Sequence, residues 1–522
     1  MSATRRKLPI GIQTFSEIIS EGHYYVDKTH YAHRLIDEGK YYFLSRPRRF
    51  GKSLFIDTLA ELFEGNEEPF KGLYIHPRWN WQVHHPVIRI SFSDGVLQSR
   101  AELDRRILDI LRVNRERLGL TCPNLSDIAS CFGEIIRQAH LRFGQRVVIL
   151  VDEYDKPILD NITDSETATA MREGLKNFYS VIKGADAHLR FVFLTGVSKF
   201  SKVSLFSGLN NLNDITLDPA YSALCGYTEA DVNAIFAAEL VGLDREEIRR
   251  WYNGYNWLGE PVYNPFDLLL LFRKRTFRPW WFETGTPTFL IKLLAQRGFF
   301  TPNLSRLRTG PEILSSFDVD QIIPEALMFQ AGYLTIHKAE EPILGHWVYT
   351  LGYPNQEVES SLNSSLLSTY TGDVGKSFAH RLRLLEVLLA NDLPGLKDII
   401  HALYASIPHQ WYDNNPIARY EGYYASVFYS YFAALGLDII LEDATNQGRI
   451  DMSVKCNKHI YLFEFKVVEI TPKGRALQQL KDRAYADKYR ARGETIHLIG
   501  IEFSRVERNV VGFEVETVSD RK

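Results

Sequence analysis

The sequence predicts an α/β protein built on two unlike sheets, and three observations carry that prediction. The first third of the 522 residues alternates short apolar runs with helical stretches, the pattern of a parallel sheet covered by helices on both faces. A helical region then follows from Tyr227. The last third sets four apolar strands around helices in the order α-β-β-β-α-β, which fits a separate, smaller α/β domain. A chain this long exceeds one ordinary core, so about two or three domains are expected.

Taken in order, the first sheet draws its strands from residues 41–44, 87–92, 147–151 and 191–194, with helices at 107–118 and 128–143. Thr228 ahead of Glu229 and Asp231 reads as a helix start, since the hydroxyl can accept one of the first unpaired N–H groups. The helical region this opens is expected to act as a lid reaching to about residue 300. Residues 280–370 mix patterns and are rich in turn formers, so their architecture stays unassigned. Helices are predicted at 378–404 and 425–435, then strands at 438–442, 449–454, 459–466 and 495–503. A helix at about 473–489 would place Leu477, Leu480, Ala484 and Lys488 on one face. The expected domains are 1–225, 226–300, 301–375 and 376–522.

Composition narrows the function classes. Hydrophobic residues make up 45% and charged residues 24%, the balance of a soluble globular protein, and 13% aromatics allow sizeable cores. The net charge of −3 shows no whole-chain basic bias, so any nucleic-acid contact would have to come from local clusters of Lys and Arg. Cys122, Cys131, Cys225 and Cys456 form no CxxC pair, which argues against a zinc ribbon or a disulfide scaffold and suits a reducing compartment. Residues 1–7 are basic but lead into no apolar stretch, and no run approaches the roughly 20 apolar residues of a membrane span. A cytoplasmic protein without membrane association is expected.

The first candidate site follows strand 41–44. Ser45-Arg46-Pro47-Arg48-Arg49-Phe50-Gly51-Lys52-Ser53-Leu54 leads directly into a helical stretch. Gly51, Lys52 and Ser53 supply what a phosphate cradle needs: inward backbone N–H groups, a cation for the β and γ phosphates and a hydroxyl for Mg²⁺. Arg46 stands where the usual loop has its first glycine, and on this motif alone a basic surface turn is the alternative. The apolar run 147–151 adds a second element, because it ends in Asp152 and Glu153. Asp152 would order the Mg²⁺ shell and Glu153 would polarise the attacking water. Thr195, ending strand 191–194, is placed to sense the γ-phosphate. Arg49, Phe50, Gly51, Lys52, Ser53, Leu54, Asp152 and Thr195 are therefore the expected ATP contacts, with Ser53 and Asp152 on the metal.

The second candidate site lies near the C-terminus. Asp451 sits in strand 449–454, and Glu464-Phe465-Lys466 ends the next strand. Adjacent strands of a hairpin can bring Asp451 and Glu464 to one divalent ion, Mg²⁺ or Mn²⁺. Lys466, two residues on, shares the face of Glu464 and can orient water or stabilise charge on a phosphate. Glu421 can add a further carboxylate. The alternative is a solvated hairpin with a cross-strand ion pair. The same spacing occurs in Asp27, Glu38 and Lys40, but there residues 31–37 read as helix, so no shared strand face is expected.

Together these motifs make the chain resemble a family with an AAA-ATPase-like N-terminal domain and a PD-(D/E)xK nuclease-superfamily C-terminal domain. The resemblance is carried by Tyr25-Val26-Asp27-Lys28-Thr29, the arginine-rich loop, Asp152-Glu153-Tyr154-Asp155-Lys156-Pro157-Ile158 and Thr195-Gly196-Val197-Ser198-Lys199. Phe206-Ser207-Gly208-Leu209-Asn210-Asn211-Leu212, Trp251-Tyr252-Asn253-Gly254-Tyr255, Gly448-Arg449-Ile450-Asp451, Glu464-Phe465-Lys466, Tyr485 and Tyr489 continue it. It implies a P-loop NTPase parallel sheet with a helical lid, plus a restriction-endonuclease-like α/β domain. It further implies ATP and Mg²⁺ at Lys52, Ser53 and Asp152, Glu153 as water activator, and a divalent metal at Asp451 and Glu464. The loop with Arg46 looks like this family's own form of the phosphate loop.

The function expected is an ATP-binding hydrolase coupled to a metal-dependent nuclease, with DNA a better candidate than RNA by superfamily analogy. The alternatives are a non-catalytic ATP switch whose C-terminal fold docks a partner, and a remodeller acting on protein. Arg46, Arg48 and Arg49 can face nucleic acid, but their place beside the phosphate loop favours contact with nucleotide or a neighbouring domain. No arginine finger stands out beyond Lys202, Arg249 and Arg250. Asn210 and Asn211 read as turn residues, and an oligomer is compatible with the sequence.

Overall fold

The computed structural model describes residues 5–121, 127–199, 211–284, 290–291, 294, 301–311, 314, 323–371, 374–406, 421–490 and 493–518. It divides into two compact units, Met1–Gly285 with Arg308–Asn355 and Thr286–Leu307 with Gln356–Lys522.

The first unit is built on a parallel sheet of β1 (Tyr41–Ser45), β2 (Val87–Ser91), β3 (Val147–Asp152), β4 (Leu189–Gly196) and β5 (Asn213–Asp214). The order is β2-β3-β4-β1-β5. Every residue of β1 and β3 is buried, as expected of near-continuous apolar runs in a parallel sheet covered on both faces. The four predicted strands are all present, and β5, only two residues long, carries no signal in the sequence. Because β4 lies between β1 and β3, the C-terminal ends of all three strands line one edge. Ser45 is level with Gly196, and Val151 with Leu194. That edge is where open α/β sheets bind ligands.

The helix predicted at 107–118 starts earlier, at Arg100–Arg117, because the Ser99 side chain accepts from the Glu102 N–H and caps a polar first turn. The helical region opens as expected with a capping box between Thr228 and Asp231. Its helices Glu229–Ile235, Arg245–Tyr252 and Pro265–Lys274 close around Val232, Phe236, Ile248, Tyr252 and Leu268, with Tyr24 and Val26 from the N-terminal segment in the same core. The unassigned stretch contains a three-stranded sheet of β6 (Leu307–Thr309), β7 (Thr335–Ile343) and β8 (His346–Gly352), ordered β6-β8-β7. Most of β7 is exposed, so it lacks the alternation that marks a half-buried strand.

The second unit holds a mixed sheet, β13-β12-β11-β10-β9, of β9 (Asp438–Thr445), β10 (Gly448–Cys456), β11 (His459–Val468), β12 (Thr495–Ser504) and β13 (Asn509–Val518). Only the β11–β12 pair is parallel. The edge strand β13 was not predicted: Glu514 and Glu516 interrupt its apolar residues. The helix predicted at 378–404 is two helices, Val374–Leu389 and Leu393–Ala405. Asn391 between them has φ 51°, and the Asp392 side chain caps the second from in front of Pro394. The helix predicted at 473–489 also breaks. It runs Arg475–Asp482, turns at Ala484 with φ 46°, and resumes as a short 3₁₀ turn, Tyr485–Lys488. Among the described residues no helix is long and apolar enough to cross a membrane.

Candidate functional site

The loop between β1 and the helix Lys52–Glu64 is shaped by where its carbonyls go. Lys52 Nζ donates to the carbonyls of Arg46 and Pro47 at 2.9 and 2.8 Å. Trp281 Nε1 donates to the Arg48 carbonyl at 3.0 Å, and the Gly226 N–H to the Phe50 carbonyl at 3.1 Å. With the carbonyls turned away, none of the backbone N–H groups from Arg48 through Leu54 meets an acceptor among the described residues. Arg49 at φ 68° and Gly51 at φ 95° supply the left-handed turns that curl the loop. A run of unpaired N–H groups at the N-terminus of a helix is an anion site, because each donor is unsatisfied and the helix dipole adds positive potential. Burial depresses the pKa of Lys52, opposed chiefly by the negative charge of Asp152.

The loop is gripped from below. Phe50 packs edge-on against Tyr255 and Trp257, with ring centroids 4.7 and 5.6 Å apart. Pro47 abuts Gly332, where an added Cβ would come within 2.6 Å of Pro47 Cγ. Arg46, for which nucleotide or interdomain contact is favoured over nucleic acid, is fully buried and reaches into the helical region that follows the sheet. Its guanidinium donates to the carbonyls of Ser45, Thr216 and Tyr221 and lies 4.1 Å over the Trp257 ring. The residue that breaks the glycine pattern is therefore the loop's internal strut. Arg48 and Arg49 are exposed, with Arg49 stacked 4.9 Å over Phe266.

At the same edge Asp152 joins two of the expected side chains. Its Oδ2 accepts from Ser53 Oγ at 2.5 Å and its Oδ1 from Thr195 Oγ1 at 2.9 Å. Glu153 sits next to it at φ 51°, a strained conformation for a side chain of its size. Burial, reinforced by Asp152, raises its pKa. Asp155, quoted in the motif but given no role, is almost fully buried and accepts from the N–H groups of Val197 and Ser198 and from Ser198 Oγ. It thereby ties the turn after β3 to the turn after β4. Gly196 is needed for this contact, since a Cβ there would lie 2.4 Å from Asp155 Oδ1.

The spacing of Asp27, Glu38 and Lys40 gathers no site, as expected, and two of the three candidates for an arginine finger are engaged in ion pairs. Asp27 accepts from Thr29 and from the Tyr74 N–H, Glu38 accepts from the Tyr221 hydroxyl and Lys40 pairs with Asp186, so that triad is dispersed over structural contacts. Arg249 is held by Glu229 and Glu246, and Arg250 pairs with Glu247. Lys202 and Asn210 lie outside the described residues.

In the second unit β10 and β11 pair through Met452 and Phe463, and one step further on Asp451 Oδ2 accepts the Phe465 N–H at 2.8 Å. Glu464 is fully buried. Its Oε1 accepts from Lys466 Nζ at 3.2 Å and from Gln479 Nε2, while Oε2 has no hydrogen-bond partner among the described residues. A buried carboxylate oxygen without a donor is costly unless protonated or bound to a cation. Burial first, then the charge of Asp451, pushes the Glu464 pKa up to about 7, and burial also raises that of Asp451. These two carboxylates fit a divalent ion chemically. Among the described residues, however, no group of three or more His, Cys, Asp or Glu gathers as a metal site. Glu421 begins the helix Glu421–Ala433, and its side chain lies outside the description. Beside the pair, Asp443 is held by Lys488, Tyr489 and Ser453. That cluster was invisible in the sequence, because a continuous helix would have turned Tyr489 away.

Comparison with known proteins gives the same division. Residues 9–206 match the family described as predicted AAA-ATPase (AAA-ATPase-like), and residues 419–513 match the PD-(D/E)XK nuclease superfamily. An uncharacterised protein from the vnfD 5′ region of Azotobacter chroococcum mcd 1 is 63% identical over 516 residues, covering 99% of this chain and 100% of that protein.

Proposed function

Because the chain belongs to the family of predicted AAA-ATPase-like proteins that carry a C-terminal PD-(D/E)XK nuclease-superfamily domain, we propose that it binds and hydrolyses ATP in its first unit and cleaves phosphodiester bonds in its second, with DNA as the substrate. The observation that carries the first half is the row of unpaired N–H groups from Arg48 through Leu54, opposite Asp152. Lys52 and those N–H groups hold the phosphates; Ser53 and Asp152 would hold Mg²⁺, which would supply charge neutralisation; Glu153 takes the proton from water. Thr195, fixed on Asp152, reports the γ-phosphate side of the site to β4.

The buried, unpartnered Oε2 of Glu464 supports the second half. Asp451 and Glu464 would hold the metal, which lowers the pKa of bound water. Lys466 can orient water or stabilise charge on the phosphate, with Gln479 fixing the Glu464 carboxylate. A second reading, a non-catalytic ATP switch that docks a partner, is favoured by one observation: only two carboxylates are gathered there among the described residues.

One assay separates the two. Plasmid, linear and single-stranded DNA and RNA are incubated with Mg²⁺ or Mn²⁺, with and without ATP, alongside Asp451→Ala and Lys52→Ala. Cleavage that disappears in Asp451→Ala and changes with ATP only when Lys52 is present supports the nuclease. Intact substrates throughout, with ATP still bound through Lys52, establish the switch.

A further inference from the structure

We infer that Arg48 meets the γ-phosphate of bound ATP in cis, so that the phosphate loop carries its own counterpart of an arginine finger; the assignment rests on the ATP reading above. The loop's three arginines have separate situations. Arg46 is buried as a strut beneath the loop. Arg49 is drawn over Phe266, at the start of the helix Pro265–Lys274. Arg48 projects from the stretch of unpaired N–H groups and has no ion-pair or hydrogen-bond partner for its guanidinium among the described residues. Its backbone is fixed on both sides, by Trp281 Nε1 at its own carbonyl and by the wedge of Gly332 against Pro47. A fixed backbone with an unengaged cation is what a residue waiting for an anion looks like.

Arg48 stands inside the anion-binding stretch itself, since the run of N–H groups without acceptors among the described residues begins at its own N–H. Its charge acts on Glu153 and on the Tyr333 phenol, opposing the effect of burial at both. Ser53 Oγ donates to Asp152, which ties this loop to the strand end that carries Glu153, where the terminal phosphate and the attacking water must meet, and the reach of the Arg48 charge to Glu153 accords with that proximity. Other candidate cations are committed elsewhere: Lys199, after β4, to Asp214, Arg249 to Glu229 and Arg250 to Glu247. In the step itself the water oxygen bonds to the γ-phosphorus and the bond from that phosphorus to the β–γ bridging oxygen breaks. ADP leaves with the electron pair, and Glu153 takes the proton. Charge accumulates on the bridging and equatorial oxygens, which a planar guanidinium can contact at two points.

The test uses the full chain and four proteins: wild type, Arg48→Ala, Arg48→Lys and Lys52→Ala. Calorimetry measures affinity for ADP and for ADP with aluminium fluoride, and phosphate release measures turnover. Arg48→Ala should bind ADP within about twofold of wild type but lose about tenfold or more in fluoride-complex affinity and about 10³-fold in kcat. Arg48→Lys should recover part of the affinity and little of kcat, because a point charge lacks the fork. Since Arg48 is exposed, the thermal melt of both variants should match wild type, which separates a phosphate contact from a folding defect. Unchanged fluoride-complex affinity in Arg48→Ala overturns the assignment and leaves the ATP reading standing. A folded wild type that binds no nucleotide overturns both.

Discussion

In the first unit the site is made of backbone. Its donors are N–H groups, and what creates them is a set of contacts on the other side of the peptide planes: Lys52, Trp281 and Gly226 on the carbonyls, with Arg46 beneath. In the second unit the site is a pair of side-chain carboxylates, Asp451 and Glu464, with Glu464 Oε2 buried and without a donor among the described residues. The first is prepared for an anion and the second for a cation. The difference lies in where each is vulnerable. A backbone site fails when the residues bracing its carbonyls, most of them remote from the ligand, let those carbonyls turn inward, whereas a carboxylate site fails when its own ionisation is suppressed.

The largest expected effect tests the first half of that contrast. Arg46→Met keeps the length of the side chain but leaves the carbonyls of Ser45 and Thr216 buried without the guanidinium donor and removes one of the two donors to the Tyr221 carbonyl, which keeps the Leu224 N–H. At about 1–3 kcal/mol for each unsatisfied group, a loss of about 4 kcal/mol in the first unit is expected by urea unfolding. Nucleotide affinity should fall with it, although Arg46 contacts no ligand. A variant with wild-type stability would show that the loop holds itself up without the strut.

The second effect tests the carboxylate. A folded-state pKa of about 7 against an ordinary 4.5 means that folded Glu464 retains a proton which the unfolded chain has already released across that interval. The unfolded state then binds fewer protons, so stability falls as pH rises from about 4.5 to 7, by on the order of 3 kcal/mol in the absence of metal. Urea unfolding without divalent ions should show this decline, added Mn²⁺ should reverse it at pH 7, and Glu464→Gln should flatten it. Equal slopes for wild type and Glu464→Gln would remove Glu464 as the origin.

The same contrast explains what was legible in the sequence. The phosphate loop, its helix and the acids of β3 are contiguous or strand-terminal, so strand pattern and motif place them directly. The struts are scattered: Trp281, Gly226 and Gly332 come from distant segments, and no local pattern marks a glycine that must let a proline pass. Asp451, Glu464 and Lys466 are readable as strand residues. The donor asymmetry on Glu464 depends on Gln479, whose direction only the packed helix decides. Asp155 was present in the motif, but its partners sit after β4, and nothing local identifies them.

Asp155 offers the third test. Asp155→Asn preserves shape but replaces one carboxylate oxygen with an amide donor, facing N–H groups and a hydroxyl that already donate. Losing charge-assisted bonds in a buried setting should cost about 2 kcal/mol, measured by urea unfolding of the full chain. The backbone-site argument predicts a further consequence: nucleotide affinity falls although Asp155 is not in contact with the loop. Retained affinity would confine Asp155 to stability alone.

The smallest effect concerns the broken helix of the second unit. A continuous helix over 473–489 would align Leu477, Leu480, Ala484 and Lys488 and swing Tyr485 and Tyr489 off that face. Instead the chain turns at Ala484, and Tyr485 and Tyr489 join Leu480, Ile450 and Leu462 in the core, while Lys488 reaches Asp443. Burying two tyrosines outweighs the left-handed conformation of one alanine, which costs about 1–2 kcal/mol. Ala484→Gly removes that strain but adds freedom to the unfolded chain, so a net gain of about 0.5–1 kcal/mol is expected in urea unfolding. A loss instead would mean that the alanine methyl packs in the folded state, and the turn would then be held by side-chain contact as the rest of this site is.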